Sequence, residues 1–254
     1  MVSAVLLTKE AAEHLLDSET GFFPHPKLAA LNRQGVALFP TDHTIALADA
    51  GAGLDLFVAY AWTHPKLQGD DLLAVRAYRI RQWFKMHSGF RFGRLLFDCG
   101  ESELVESLGL GMRIIHQFTF QAGLTHATRY FMCADHSDAS QSQHAFLCQL
   151  FEYTPPRFFF TSSQRELLLM AREWETDQEI AEKLYISIHA VRERWRSIFA
   201  RVEIIDPGFL PYESQETRGG RKRRELMKYL ASHPEELRPY KCPKSNSRLI
   251  PLSR

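Results

Sequence analysis

Long basic and polar side chains gather in one short stretch of this 254-residue chain. Guanidinium groups donate paired hydrogen bonds to guanine edges and to phosphates, and glutamate accepts hydrogen bonds from cytosine. The chemistry that these residue types favour is the recognition of double-stranded DNA. The residues of this stretch that we predict to contact DNA are His189, Arg192, Glu193, Arg194, Arg196 and Arg201.

The same stretch has the spacing of a helix with one buried face. Four apolar residues recur every three or four positions, which is the pattern of a helix that packs on a core. They are Val191, Trp195, Ile198 and Val202. Arg192, Glu193 and Arg196 then lie on the opposite side, where a helix can enter the major groove. We predict that Arg192 and Arg196 reach base edges, while Arg194 and Arg201 lean toward phosphates.

A shorter helix precedes it, over residues 178–184. Its apolar residues recur at helical spacing, and Thr176 or Asp177 can accept an amide hydrogen bond as its N-cap. Residues 185–186 then form a tight connection, and Ser187 can cap the next helix. Two helices joined in this way predict a helix-turn-helix.

Short motifs from residue 160 to residue 202 stand in a recognisable order. They are Phe160-Thr161, Glu166-Leu167-Leu168, Glu179-Ile180-Ala181, Leu184, Ile186-Ser187, Ala190-Val191-Arg192, Ile198 and Val202. In this order, and without a gap, the segment resembles the DNA-binding domain of the LuxR family of bacterial transcription regulators, which includes response regulators. The resemblance implies base contacts from Arg192, Glu193 and Arg196. We expect Thr161 and Gln178 to contact DNA as well.

The segment departs from the family pattern at several positions. Ala190 stands where threonine is usual, Arg194 where histidine is usual, and Trp174 where glycine follows the first helix. Absence of that glycine changes the expected geometry of the loop. Two other interpretations stay open: a sigma-factor type of helix-turn-helix, which shares the Glu-Ile-Ala core, and a structural hairpin whose charges only face solvent.

Composition and charge are those of an ordinary globular protein, with 45% hydrophobic and 24% charged residues. The formal net charge is only +1, but eleven lysines and arginines and three acids lie between Arg218 and Arg254. This asymmetry fits a sensor domain joined to a DNA-contacting end. The N-terminus lacks a basic leader, no apolar run reaches about 20 residues, and the four cysteines are scattered. We therefore expect a cytoplasmic protein with reduced thiols and no membrane partner.

Residues 1–153 alternate between helical and strand-like patterns and predict an α/β sandwich with an antiparallel sheet, as in PAS, GAF and LuxR-type sensor domains. Helices are expected at 9–17, 70–87, 101–108 and 141–153, and strands at 94–99, 112–120 and 128–134. The last helix carries more apolar residues than one core face needs. We therefore expect it to supply a homodimer contact.

A small-molecule ligand is one candidate signal for this domain. The stretch from Leu108 to Ser142 resembles the end of the LuxR acyl-homoserine-lactone domain, although the residues that would grip a lactone amide do not follow the family order. The residues that we predict to line a ligand site are Tyr60, Trp62, Asp70, His116 and Phe118.

Two further patterns are compatible with a zinc site and with a hydrolase, but we expect neither. Cys133 with His136, and His144 with Cys148, have spacings that zinc could use, but cysteines are often buried as small apolar residues. Asp42-His43 invites a hydrolase, yet no nucleophile elbow or glycine-rich phosphate loop accompanies it. We predict no metal, no cofactor and no enzymatic activity.

Residues 203–254 form a basic C-terminal extension with one helix near 221–232. The cluster Arg221, Lys222, Arg223 and Arg224 opens that helix and is expected to meet phosphate, the alternative being a solvated charge run. From Pro239 onward the composition favours disorder.

These patterns together predict a DNA-binding transcriptional regulator with three parts: a sensor or dimerisation domain over 1–153, a helix-turn-helix over 157–202, and the extension. We expect it to act as a dimer, because such domains read paired half-sites. Its expected signal is a small molecule or a protein, and RNA polymerase is a further expected partner. The alternative function is a protein-interaction module that sequesters other regulators.

Overall fold

A computed structural model of the chain describes residues 2–17, 23–61, 66, 68–122, 125–141, 145–173, 175–211 and 220–241. The chain divides into two compact units, Met1–Tyr153 and Thr154–Arg254. In the described part of the chain, no helix is both long enough and apolar enough to cross a membrane.

A five-stranded mixed sheet forms the centre of the N-terminal unit, in the order β1-β2-β3-β5-β4. The strands are β1 (Val2–Leu7), β2 (Leu54–Ala61), β3 (Phe92–Gly100), β4 (Arg113–Ala122) and β5 (Thr125–Asp135). The β2–β3 pair is parallel and the other pairs are antiparallel. The purely antiparallel sheet expected from the sequence is therefore wrong. The reason is the strand β2, which the sequence pattern does not reveal and which joins β3 through the crossover that a parallel pair requires.

Seven helices are assigned among the described residues of this unit. They are α1 (Lys9–Leu16), α2 (Pro24–Arg33), α3 (Asp42–Asp49), α4 (Gly69–His87), α5 (Glu101–Gly109), α6 (His136–Gln141) and α7 (Ala145–Phe151). Side-chain oxygens of Thr8 and Thr41 cap α1 and α3. Of the single helix expected over residues 141–153, the structure assigns Gln141 to α6 and Ala145–Phe151 to α7, and residues 142–144 lie outside the described part.

Both faces of the strands β2, β3 and β5 are buried, so the unit has three layers and an α/β fold. Leu56 and Leu95 on one face pack with Trp83 of α4 and Leu147 of α7. The residues that follow them in sequence, among them Phe57, point to the other face and pack with α1. Successive strand residues point to opposite faces, so a strand covered on both sides is apolar at consecutive positions.

The C-terminal unit is helical. Its elements are α8 (Ser162–Arg172), α9 (Asp177–Lys183), α10 (Ile188–Ile205), α11 (Gly220–Ser232) and a 3-10 helix (Pro234–Leu237). One apolar cluster joins all of them, from Phe158 through Ile198 to Leu230 and Leu237. The described part of the basic extension, which contains Leu210, Leu226, Leu230 and Leu237, thus packs into the core of this unit.

The caps of these helices follow from local sequence. Thr161 and Gln164 form a capping box at α8, and Thr176 and Glu179 form another at α9. The Ser187 hydroxyl accepts the amide of the third residue of α10. Of the two N-caps considered for α9, the structure has Thr176.

Candidate nucleic-acid interface

The side chains of α10 divide into a buried and an exposed set. The buried set is Val191, Trp195, Ile198 and Val202, as the apolar spacing predicted. His189, Arg192, Glu193 and Arg196 are exposed. The packing on α8 and α9 therefore leaves a polar side of α10 open to solvent along its first three turns.

Charges on that open side are partly compensated. Glu193 forms an ion pair with Arg196, and its carboxylate lies 3.7 Å from Nε2 of His189. Arg192 has no ion-pair partner within the described residues. Arg192 is consequently the cation on this side whose charge is least offset by its neighbours.

Two other arginines of α10 turn toward the protein. A guanidinium nitrogen of Arg194 donates to the carbonyl of Ser163 at 3.4 Å and lies 3.8 Å from Glu166. Arg201 donates to the carbonyl of Phe159 at 2.9 Å, and its Nε is buried. Arg201 thus helps to fix the segment before α8, while Arg194 lies at the edge of the exposed side. The phosphate contacts expected of both residues stay predictions.

The remaining sequence-predicted residues of the interface lie on α8 and α9. The Thr161 hydroxyl is engaged in capping α8. Gln178 is exposed on α9 and donates to Glu182 at 2.9 Å. Gln178 is thus accessible to a ligand. The Thr161 hydroxyl is already used in the cap of α8.

Trp195 links α10 to α9 and α11. Its indole N–H donates to Oδ1 of Asp177 at 3.2 Å, and its ring stacks against Phe199 with centroids 5.5 Å apart. The guanidinium of Arg223, on α11, lies 4.7 Å from the centre of the indole ring. This side chain therefore fixes the angle at which α10 leaves the turn after α9.

Arg223 holds α11 against α9 and α10, a structural role that the basic run in the sequence does not indicate. It donates to Oδ1 of Asp177 at 2.8 Å and to the carbonyl of Glu175 at 3.0 Å, in addition to covering Trp195. Cation–π contacts and charge-assisted hydrogen bonds of this kind anchor one helix on another. Arg223 therefore anchors α11 on α9 and α10, and the phosphate contact expected of it stays a prediction.

The other members of the run differ in how far they are engaged. Lys222 lies 3.6 Å from Glu203 of α10. Arg221 is exposed, and the Arg224 side chain is 68% exposed with Glu225 at 3.9 Å. Arg221 and Arg224 remain accessible to an anionic partner.

We expect Arg223→Ala to lower the free energy of unfolding around α9 by about 1–2 kcal/mol, because it removes two hydrogen bonds and the packing on the indole ring at a half-exposed site. Arg224→Ala, its neighbour and matched control, should change that energy by less than about 0.5 kcal/mol. Hydrogen exchange of the α9 amides in the full chain measures both. Equal effects from the two substitutions would show that Arg223 is not an anchor.

A buried carboxylate fixes the end of the unit to its beginning. Glu236 is fully buried and accepts hydrogen bonds from the amides of Arg157 and Phe158, at 2.9 and 3.0 Å, and from the Tyr229 hydroxyl at 2.9 Å. Burial raises the pKa of Glu236. Tyr240 adds a hydrogen bond to the carbonyl of Phe160. The disorder expected from Pro239 onward therefore does not apply at Tyr240.

Of the described residues predicted to line a ligand site, the structure places His116 and Phe118 on one face of the sheet and Asp70 away from them. His116 bonds to the carbonyl of Leu16, and Phe118 packs against Phe23, on the face of the sheet that α1 covers. Asp70 is exposed at the start of α4, the helix whose Trp83 packs on the opposite face. Trp62 and the side chain of Tyr60 lie outside the described residues.

Cys99 and Cys133 have the surroundings of structural thiols, whereas Cys148 is exposed. Burial raises the pKa of Cys133 and of Cys99 to about 11. The Cys99 thiol lies 3.4 Å from the sulfur of Met132. Among the described residues, no cluster of three or more potential ligands could hold a metal ion. His144, part of the zinc pattern in the sequence, lies outside them.

The chain was also compared with known proteins. No family model, curated protein or solved structure matches it.

Proposed function

We propose that this protein is a DNA-binding transcriptional regulator of the LuxR type, with α9 and α10 as its helix-turn-helix. The observation that carries the proposal is the open side of α10, where Arg192 and Arg196 stand one turn apart opposite a buried stripe. A recognition helix needs this arrangement, because its apolar side holds it on the domain while long donors reach base edges.

The setting of α10 supports the same function. Ser187 caps the helix, and a four-residue connection, 184–187, separates it from α9. The positive end of the helix dipole and its first amides favour an approaching phosphate. Arg192 and Arg196 are assigned to base edges, Glu193 positions Arg196, and Arg194 lies at the phosphate flank.

The N-terminal unit is proposed as the part that receives a signal, from a small molecule or a protein. We also propose that the protein binds DNA as a dimer, because such domains read paired half-sites. Three apolar residues of α7, Leu147, Leu150 and Phe151, are buried in the unit's own core and are not available for such a contact, while the side chain of Phe146 lies outside the described residues. Sedimentation of the full chain at micromolar concentration tests the dimer.

The exposed cations at the start of α11 are expected to strengthen DNA binding without selecting sequence. The double substitution Arg221→Ala, Arg224→Ala should weaken binding and lower the slope of log affinity against log salt concentration by about 0.9 for each phosphate that these side chains no longer neutralise. The ranking of DNA sequences should stay the same, since phosphates carry no sequence information. Fluorescence anisotropy of labelled duplexes at several salt concentrations measures this.

A matched control removes two exposed cations from the N-terminal unit, as Lys9→Ala with Lys85→Ala. It changes the net charge equally and should leave the salt slope unchanged. A slope that is the same in the α11 variant and the wild type would mean that Arg221 and Arg224 do not meet phosphate.

A further inference from the structure

An exposed aromatic residue occupies a strained position beside the start of α10. Tyr185 has a backbone φ of 53°, in the left-handed region that bulky side chains rarely adopt, and it is 95% exposed. Because the ring is exposed to solvent, its packing cannot compensate for the conformational cost of the left-handed backbone. A backbone outlier of this kind is a reason to look for a function.

The turn explains why the position must be left-handed. The amide of Tyr185 donates to the carbonyl of Glu182 at 3.2 Å, and the amide of Ile186 donates to that of Ala181 at 3.0 Å. This is the Schellman ending of a helix, in which glycine is the usual residue at the position of Tyr185. Glycine or asparagine would adopt the same turn at a lower conformational cost, so the aromatic ring is not required by the fold.

A second apolar side chain is exposed at the same end of the helix. Ile188 is the first residue of α10 and is 37% exposed, three residues after Tyr185. Arg192 follows Ile188 by four residues, so the two lie on the same side of α10. Ile188 therefore adjoins a donor assigned to base edges, and Tyr185 lies in the turn that leads directly into this end of α10.

Resting on the proposed function, we propose that Tyr185 and Ile188 contact thymine methyl groups in the major groove and set the sequence preference at that edge of the DNA site. The thymine C5-methyl is the apolar feature that this groove presents. The N-terminal residues of a recognition helix are those that contact base edges. The neighbouring Arg192 and Arg196 are exposed cations, and their charge favours DNA as the partner of this surface.

Replacing thymine by uracil tests the contact, because it removes only the methyl group. A preferred duplex is first selected with the full chain, and each thymine is then replaced in turn. We expect about a fourfold loss of affinity at one or two positions, the effect of one buried methyl. In Tyr185→Asn, which suits the left-handed turn, the loss at those positions should largely disappear, whereas Tyr185→Phe should retain it.

Ile188→Ala should reduce the uracil effect in the same way. Ile204→Ala is the matched control, because Ile204 is 48% exposed near the other end of α10, and it should bind like the wild type. A selected duplex with no uracil-sensitive position, or a Tyr185→Asn variant that weakens all sequences equally, would overturn the inference and leave the proposed function intact.

Two further results separate the possibilities. If the wild type selects no duplex at all, the proposed function fails and the thymine contact with it. If Tyr185→Asn keeps the wild-type affinity and uracil response but loses transcriptional activity in a purified system, the ring contacts a protein, and the inference is again overturned.

Discussion

Trp195→Ala is expected to lower the free energy of unfolding of the C-terminal unit by about 3–5 kcal/mol, the range for truncating a large buried aromatic residue. The substitution removes the core packing of α10, the hydrogen bond to Asp177 and the platform on which Arg223 rests. Since about 1.4 kcal/mol is a factor of ten in an equilibrium constant, this change should raise the open population of α9 and α10 by roughly a hundredfold to several thousandfold.

Hydrogen exchange in the full chain can measure the effect locally. The amides of α9 and α10 should lose most of their protection, while those of the central sheet strands should exchange as in the wild type. Trp195→Phe is the matched control, because it retains an aromatic ring and loses chiefly the N–H bond to Asp177, at a cost of about 1 kcal/mol. Wild-type protection in the alanine variant would contradict the packing described for α10.

Arg192→Ala is expected to weaken binding to the preferred duplex by about 1–3 kcal/mol, or roughly fivefold to 150-fold, and to relax the preference at one base pair. The physical reason is the removal of paired donors to a base edge, on a side chain that makes no ion pair with the described residues. Anisotropy with duplexes that carry every base at each position measures affinity and preference together.

Arg194→Ala is the control for this substitution on the same helix. Because Arg194 lies toward Ser163 and Glu166, its removal should weaken binding to all duplexes alike and leave the preference unchanged. If the Arg192 variant kept both its affinity and its preference, the assignment of Arg192 to base edges would be wrong.

Local features of the C-terminal unit were predictable from the sequence because they depend on neighbours in the chain. The buried stripe of α10 and the Ser187 cap follow from helical spacing and from side chains within one turn. The roles of Arg223 and Glu236 were not predictable, since their partners lie 46 and 78–79 residues away. Within a run of four basic residues, the sequence does not indicate which side chain contacts the indole of Trp195 and the carboxylate of Asp177.

The N-terminal unit was harder to predict for a different reason. A strand buried on both faces is nearly continuous in apolar residues, so β2 lacks the alternation that identifies a half-exposed strand. Because β2 was not predicted, the parallel β2–β3 pair was not predicted either. Nor could the sequence show that His116 lies on one face of the sheet, whereas the helix that begins near Asp70 packs on the other. Among the described residues, the structure therefore separates Asp70 from His116 and Phe118, which were predicted to share a ligand site with it.

The most direct test of DNA recognition by α10 is a selection from a random library of duplex DNA with the full-length protein. We predict enrichment of a short motif that the wild type binds at least about ten times more tightly than scrambled DNA at the same salt concentration, with that ratio reduced in Arg192→Ala. No enrichment, with the wild type and Arg192→Ala binding all duplexes equally weakly, would contradict the proposal that α10 reads DNA.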